Sequence, residues 1–205
     1  MFRLINVTTS TCETFKPISV CLNHGEMLTL YGSEFLKVYS ILKGHRFFSG
    51  EVIIAGTSYA ECLPSQIPHV GYVDYEPSYI PGATVVDYLQ TVIWAKASWG
   101  FNNSLSKIQV LLYKFNLMSL SSELMSNLSQ LNMVRVMFIS QLLLDPDLII
   151  FENPLWLQNK SLGEDIAEYM NFLLKKGVSI AAITLNAPQV HLGGLCLELE
   201  GAVNA

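Results

Sequence analysis

Apolar residues follow two spacings along this chain, and the spacings predict short strands that alternate with helices. Residues 148–151 are four consecutive apolar residues, typical of a strand buried on both faces. Upstream, Ser129 precedes a long run of periodic apolar residues, which predicts the start of a helix. Asp145-Pro146-Asp147 would break that helix before the strand. Residues three or four apart are predicted to stack on one helix face: Leu131, Val134, Phe138, Gln141 and Leu142.

The same patterns predict the other elements. Strands are expected over residues 2–7, 18–22, 27–31, 52–55, 70–73, 178–184 and 195–199, and helices over residues 35–42, 85–97, 105–117 and 162–176. Residues 23–26 are predicted to form a hairpin-type turn. Glu152 and Asn153 follow the strand at 148–151, at the edge where open parallel sheets bind ligands. The pattern therefore predicts one α/β domain with a sizeable core.

Composition and charge narrow the class of protein. Of the 205 residues, 51% are hydrophobic and 14% are charged, which favours either a large core or, as we prefer, a surface covered by partners. The net charge of −5 and the lack of a basic stripe argue against a nucleic-acid partner. We expect no transmembrane segment and no signal or transit peptide. The four cysteines lack metal-ligand spacing, so we expect no metal site and predict small core residues in a reducing compartment.

One stretch, residues 128–154, resembles the signature and Walker B segment of the ABC transporter ATPases, whose pattern is LSGGQ-x-x-RV followed by LLLLDEP. The positions in register are Leu128, Ser129, Arg135, Val136, Asp145-Pro146-Asp147 and Pro154. The residues that carry the family's chemistry differ. Gln130 and Leu131 replace the signature glycines, Glu152 replaces the Walker B aspartate, and Asn153 replaces the catalytic glutamate.

A strand, a glycine and a helix in succession are the context of a phosphate-binding P-loop, G-x-x-x-x-G-K-[ST]. Here only Gly32 remains, while Lys37 stands a turn too late, and bulky Phe35 and Leu36 occupy positions where small residues admit phosphate. The family resemblance implies ATP and Mg²⁺ as cofactors, but these changes predict that neither is bound. We therefore expect only a vestigial nucleotide site, formed by Gly32, Ser33, Lys37, Ser129 and Glu152.

Residues 71–77, GYVDYEP, resemble the family's Q-loop, usually GYVPQEP, with Tyr75 in place of the glutamine that touches magnesium. In the family, a coupling helix of the membrane subunit docks beside this loop. The resemblance implies that the partner-binding residues here are Tyr75, Glu76, Pro77, Tyr79 and Ile80. Trp94, Trp99 and Phe101 are either core aromatics or part of the same kind of contact.

The resemblance implies a P-loop NTPase-like α/β fold over residues 1–205. Its core would hold a mixed or parallel sheet, with an antiparallel β subdomain and a small helical subdomain at about residues 78–127. The family's D-loop motif is absent from residues 155–158, and Leu185 stands where the switch histidine would be. With the phosphate loop and the Walker B acids also altered, every element of ATP hydrolysis is missing or changed, and we predict no catalytic residue.

The predicted function is a pseudo-ATPase, a non-hydrolysing subunit that serves as a structural docking component of a membrane complex. One alternative is a divergent but active ATP-binding subunit that energises a transporter, in which Lys37 and Glu152 would substitute for lost groups in unusual geometry. Another is an unrelated α/β binding module, against which the motifs found in register argue.

Within the family, the chain is similar to the haem-exporter ATP-binding subunit of cytochrome c maturation (CcmA-like). The similarity lies in length and in short matches at residues 94–97 and 183–188, the latter comparable with TTHQPL. This branch implies an integral membrane permease subunit of haem-exporter type as partner, and a second ATP-binding subunit. It places the chain peripherally on an inner membrane, on the cytoplasmic or mitochondrial-matrix face.

Overall fold

The computed structural model of the protein describes residues 1–9, 16–59, 70–76, 78–96, 105–157, 169–189 and 193–199. The chain divides into two compact units. The first consists of Met1–Tyr72 and Asp147–Ala205, and the second of Val73–Pro146. The second unit contains the range 78–127 predicted as the helical subdomain, together with the helix that follows it.

The described strands and helices have the following bounds. The strands are β1 (Phe2–Thr9), β2 (Ile18–Leu22), β3 (Met27–Tyr31), β4 (Phe48–Ile54), β5 (Thr57–Ser58), β6 (Val70–Val73), β7 (Leu148–Glu152), β8 (Ser179–Thr184) and β9 (Leu195–Glu198). The helices are α1 (Phe35–Leu42), α2 (Val85–Lys96), α3 (Leu105–Lys114) and α4 (Gln130–Leu142), and residues 169–175 are also helical. Short 3₁₀ helices span Met118–Leu120, Met125–Asn127 and Leu155–Leu157.

The strands form two sheets. β6, β7, β8, β3 and β9 lie side by side in a five-stranded sheet, in which the pairs β7–β8, β8–β3 and β3–β9 run parallel. β2, β1, β4 and β5 form a four-stranded antiparallel sheet. Nearly every side chain of β3, β7 and β8 is buried, as expected for strands covered on both faces. The predicted fold class, with a parallel core sheet, an antiparallel β part and a helical part, is confirmed.

The turn at residues 23–26 does not close a hairpin, so that prediction is wrong. β2 pairs with β1, whereas β3 pairs with β8 and β9, and the turn therefore connects two sheets. The turn holds itself together, because the Glu26 carboxylate accepts hydrogen bonds from the backbone N–H and the side-chain amide of Asn23, at 2.9 and 3.1 Å. These bonds stabilise the ionised carboxylate and lower the pKa of Glu26. β8 and β9 flank β3 on both sides in the sheet, so β3 is an inner strand and not the arm of a hairpin.

β4 begins at Phe48, earlier than the predicted start at residue 52, because Gly50 lies inside the strand instead of in a turn. Gly50 has a φ of 95°, and a Cβ there would lie 2.4 Å from the carbonyl oxygen of Asn6. The β1–β4 register shifts at this point, between Ile5 and Thr8. The shift is a β-bulge, which bends a strand and lets it continue.

α4 begins after Ser129, as predicted, but its buried face differs from the predicted one. Of the predicted stripe only Phe138 is buried, and the other four residues are half-buried. The buried residues are consecutive, because the C-terminal half of the helix is enclosed on all sides: Val136, Met137, Phe138, Ile139 and Ser140. The Ser140 hydroxyl is satisfied there by donating to the Met137 carbonyl at 2.6 Å.

In the second unit, the apolar core lies between α2, α3 and α4. Tyr88 donates a hydrogen bond to the Met137 sulfur at 3.0 Å, and burial raises the pKa of this tyrosine. Phe115 and Phe138 pack edge to face, with ring centroids 5.6 Å apart. α3 ends at Lys114 and not at residue 117.

Two cysteines depart from the prediction of core residues. Cys21 is exposed because it lies on the outer face of β2, where exposed and buried residues alternate. Cys196 is exposed like most side chains of β9, three of which are exposed and one half-buried. Cys12 and Cys62 lie outside the described residues, as does the beginning of the helix predicted over residues 162–176.

Candidate functional site

The carboxyl ends of β3, β7 and β8 meet at one edge of the first unit's sheet and bring together residues that are far apart in sequence. The Gly32 N–H donates to the carbonyl of Thr184 at 3.0 Å, and the Asn153 N–H donates to the carbonyl of Ile183 at 2.7 Å. The Thr184 hydroxyl donates to the side-chain oxygen of Asn153 at 2.9 Å. The positions predicted for the phosphate loop, the Walker B acids and the switch are therefore neighbours.

The connection from β3 to α1 consists of only Gly32, Ser33 and Glu34, and it closes on itself because the Phe35 N–H donates to the Gly32 carbonyl at 3.1 Å. Gly32 has a φ of 139°, and a Cβ there would lie 2.6 Å from the carbonyl oxygen of Leu199. The glycine is thus required by the close approach of protein backbone. A phosphate cradle needs successive N–H groups that wrap around an anion, whereas the Gly32 and Phe35 N–H groups of this turn donate to protein carbonyls.

The charge that would attract phosphate is neutralised within the same helical turn. The Lys37 ammonium forms an ion pair with the carboxylate of Glu34, three residues earlier. Both side chains are largely buried, with 30% of Lys37 and 14% of Glu34 exposed. Glu34 precedes the first residue of α1, where the helix dipole favours a negative charge. The carboxylate of Glu34 therefore lies beside Lys37, the lysine nearest to this turn in sequence.

At the end of β7, Glu152 is the last strand residue and is half-buried. Asn153 follows with a φ of 41°, a left-handed conformation that asparagine tolerates better than most residues. Its side-chain oxygen is engaged by Thr184, and an amide cannot accept a proton as a catalytic carboxylate does. The pair fixes two strand ends to each other, which is a structural role.

The remaining motif positions of the first unit are apolar. Leu185, at the switch position, is 46% exposed and carries no group that could stabilise charge. Trp156, in the segment without a D-loop motif, is fully buried and packs edge to face on Phe151, with ring centroids 5.5 Å apart. Within the described ranges, no cluster of three or more His, Cys, Asp or Glu side chains could hold a metal ion.

Two residues of this site, Glu34 and Thr184, were not predicted from the sequence. Glu34 carried a usable signal, since a glutamate three residues before a lysine at a helix start predicts an ion pair. Thr184 carried none, because it lies 31 residues from Asn153 in sequence and is brought close only by the pairing of β7 with β8.

The predicted site residues of the second unit belong to two other places. Ser129 caps α4, its hydroxyl oxygen accepting from the Asn132 N–H at 3.3 Å. Of the predicted partner-binding residues, Glu76 and Ile80 are exposed, Tyr75 and Tyr79 are half-buried, and Pro77 lies outside the described residues. Trp94 is 71% exposed, so it is not a core aromatic, and Trp99 and Phe101 fall outside the described ranges.

Comparison with known proteins identifies the fold. A scan against protein-family models and a search of curated protein sequences give no match to this chain. The dimeric ATP-binding cassette MJ0796, in a post-hydrolysis state with ADP and phosphate, is similar with a TM-score of 0.78 and 18% identity, covering 98% of this chain and 94% of that one. An ATP-binding subunit of an ABC transporter gives 0.73 and 18%, covering 90% and 79%. The cbiO1 protein of Clostridium perfringens, part of the transporter complex cbiONQ, gives 0.70 and 16%, covering 90% and 78%.

These similarities establish that the chain has the fold of the ABC transporter ATP-binding cassettes. Among the described helices, none combines the length and the apolar character needed to cross a membrane.

Proposed function

We propose that this chain is a non-hydrolysing subunit on an ATP-binding-cassette fold, which docks into a membrane complex without driving it. The ion pair between Glu34 and Lys37 carries the proposal. It places a carboxylate beside the lysine nearest to the three-residue turn, where an active cassette would need a free positive charge for phosphate. An incoming nucleotide would have to displace this carboxylate and would meet its negative charge.

The other positions of the site support the same conclusion. ATP hydrolysis requires a phosphate cradle, a metal ligand, a group that orients water and a group that stabilises charge. Asn153 is neutral and engaged by Thr184, and Leu185 is aliphatic. Glu152 retains a negative charge, but its longer side chain moves that charge by about one methylene from the aspartate position, which the strict geometry of Mg²⁺ disfavours.

The partner in this proposal is an integral membrane permease subunit. Tyr75, Tyr79 and Ile80 would form the docking surface, since aromatic and apolar side chains carry most of the binding energy of protein interfaces. The short matches at residues 94–97 and 183–188 favour a permease of haem-exporter type. The location would be peripheral, on the cytoplasmic or mitochondrial-matrix face of an inner membrane. A second ATP-binding subunit that paired with this chain would contact Gln130 and Leu131, at the positions where the signature of an active cassette has glycines.

The test is nucleotide binding by the purified chain, with an active cassette as positive control. A ligand at about 100 times its Kd stabilises a folded protein by roughly 2.7 kcal/mol, which raises the melting temperature measurably. We expect Mg²⁺-ATP at millimolar concentration to leave the melting temperature of this chain unchanged and to give no phosphate release. A magnesium-dependent rise, or turnover, would contradict the proposal and favour a divergent active ATPase.

The haem-exporter assignment needs a separate measurement. The tagged chain would be recovered from membranes, and its partners identified by mass spectrometry. We expect a multi-span permease of the haem-exporter type. If the chain is recovered together with a permease of another type, the haem-exporter assignment is wrong, whereas the docking role still stands.

A further inference from the structure

Phe47 is the most exposed large apolar side chain in the described part of the chain, at 87%. It ends a short segment, residues 43–47, that joins α1 to β4 and has the sequence Lys-Gly-His-Arg-Phe. We call this segment the 43–47 tip. An isolated exposed apolar residue is common on protein surfaces. The tip differs because the residues at its start and on either side of it make defined contacts, and because its neighbours in sequence are cationic.

The first end of the tip is fixed to α1. The Gly44 N–H donates to the carbonyl of Ile41 at 2.9 Å, and the His45 N–H donates to the carbonyl of Ser40 at 2.9 Å. Gly44 has a φ of 72°, the left-handed conformation typical of the glycine that closes a helix. The chain therefore leaves the helix in one defined direction.

Aromatic side chains contact the residues on either side of the tip. The hydroxyls of Tyr59 and Tyr72 both donate to the Leu42 carbonyl, at 2.5 and 2.9 Å. Burial raises the pKa of Tyr72 to about 12, so this donor keeps its proton at physiological pH. Phe48, the first residue of β4, packs edge to face on Tyr59, with ring centroids 6.3 Å apart. Leu42 and Phe48, which flank the tip, are thus both in contact with aromatic side chains, while Phe47 itself is exposed.

The tip is cationic in a chain whose net charge is −5. Arg46 is exposed and forms no ion pair with a described residue. Lys43, the first residue after α1, lies over the ring of Tyr39, with its ammonium 5.6 Å from the ring centroid. The next acid along the sequence, Glu51, is four residues beyond Phe47, about 13 Å along an extended strand. The immediate surroundings of Phe47 in sequence are therefore positive.

We propose that the 43–47 tip contacts an anionic lipid surface, with Phe47 at the level of the headgroups and Arg46 and Lys43 beside lipid phosphates. Aromatic rings favour this interfacial depth, and cationic side chains are attracted to anionic lipid. One aromatic and two cations are too few for stable anchoring, which takes two independent signals. The contact therefore orients a subunit that other contacts hold at the membrane. This inference uses the membrane location of the proposed function, but not the state of the nucleotide site.

The test uses Phe47→Trp in the full chain, mixed at millimolar lipid concentration with vesicles whose acyl chains are brominated, because bromine quenches a tryptophan that reaches the lipid. The high lipid concentration populates a contact that is too weak to anchor the chain by itself. The vesicles are equimolar phosphatidylcholine and phosphatidylglycerol, or phosphatidylcholine alone, and the wild-type chain provides the background from its own tryptophans. We expect additional quenching with the anionic vesicles only. Tyr113→Trp, at a 76% exposed position of the second unit, is the matched control and should show none.

The charge requirement is tested by adding Arg46→Glu to Phe47→Trp, which should weaken binding to the anionic vesicles at least about fivefold, the effect of one cationic charge near the surface. Quenching that is absent, equal in zwitterionic vesicles, or equal for Tyr113→Trp would overturn the inference. If Phe47→Ala releases the chain from its membrane complex while the vesicles give no quenching, the tip binds a protein and the lipid assignment is wrong. None of these results depends on whether the chain binds nucleotide. Failure of the lipid proposal can therefore be told apart from failure of the proposed function.

Discussion

The ammonium of Lys37 is paired with the carboxylate of Glu34, three residues earlier and just before α1 begins. The pair joins the lysine that is nearest in sequence to the β3–α1 turn to an acid of that turn. In the fold of an ATP-binding cassette, this is the place where the phosphates of a nucleotide would be held. The strand, the turn and the helix are all present, and the positive charge of Lys37 is neutralised by Glu34 within the turn.

Removing the carboxylate of Glu34 should leave the positive charge of Lys37 without its partner. In Glu34→Ala, Lys37 becomes a largely buried, unpaired cation, and we expect a loss of about 1 to 3 kcal/mol of stability. Pyrophosphate should restore part of that loss in the variant and leave the wild type unchanged, as measured by thermal denaturation. Glu51→Ala, at an exposed acid of β4, is the control and should show neither effect. An equal pyrophosphate response in the wild type would show that Glu34 does not neutralise the site.

Restoring a single catalytic group should not restore hydrolysis. In Asn153→Glu the carboxylate returns, but the cradle and the switch are still altered, and groups that act as a unit are strongly non-additive. The variant should also lose about 1 to 2 kcal/mol, since Asn153 has a φ of 41° and glutamate tolerates this conformation poorly. Phosphate release with and without Mg²⁺ is the measurement. Magnesium-dependent turnover would mean that the other losses are only apparent.

The close approach at Gly32 can be tested with a matched pair of glycines. Gly32 and Gly56 both have positive φ, but a Cβ at Gly56 meets nothing within 4 Å, whereas one at Gly32 meets the carbonyl oxygen of Leu199. Gly56→Ala should cost about 1 kcal/mol from backbone strain alone. Gly32→Ala should cost a further 1 to 3 kcal/mol or so for the clash, measured by urea denaturation. Equal losses would show that the turn can move away from Leu199.

The docking surface predicted from the Q-loop resemblance has its own test. Tyr75→Ala combined with Tyr79→Ala should release the chain from its membrane complex with the fold intact, since interface aromatics often contribute about 2 kcal/mol or more each. Glu152→Ala, in the altered nucleotide site, should leave assembly nearly unchanged. Co-purification from membranes and circular dichroism are the measurements. If Glu152→Ala disrupts the complex and the tyrosine pair does not, the nucleotide site still matters for assembly.

The sequence by itself determined the order of elements and several of their bounds. The strands at 18–22, 27–31 and 70–73 and the helix at 35–42 have the predicted limits, because alternation, periodicity and turn residues are local properties of the chain. The motifs in register at residues 128–154 indicated the fold, which the solved structures confirm. The absence of the pattern G-x-x-x-x-G-K-[ST] after β3 can also be read from the sequence.

The tertiary structure alone decided which elements pair and which side chains meet. Residues 23–26 have the composition of a hairpin turn, yet they connect two sheets, because β3 pairs with β8 and β9, which lie more than a hundred residues later. The hydrogen bond from Thr184 to Asn153 depends on the pairing of β7 with β8 in the same way. The local pattern of apolar and polar residues determines whether a segment forms a strand or a helix. Which segments pack together is determined by burial between parts of the chain that are distant in sequence.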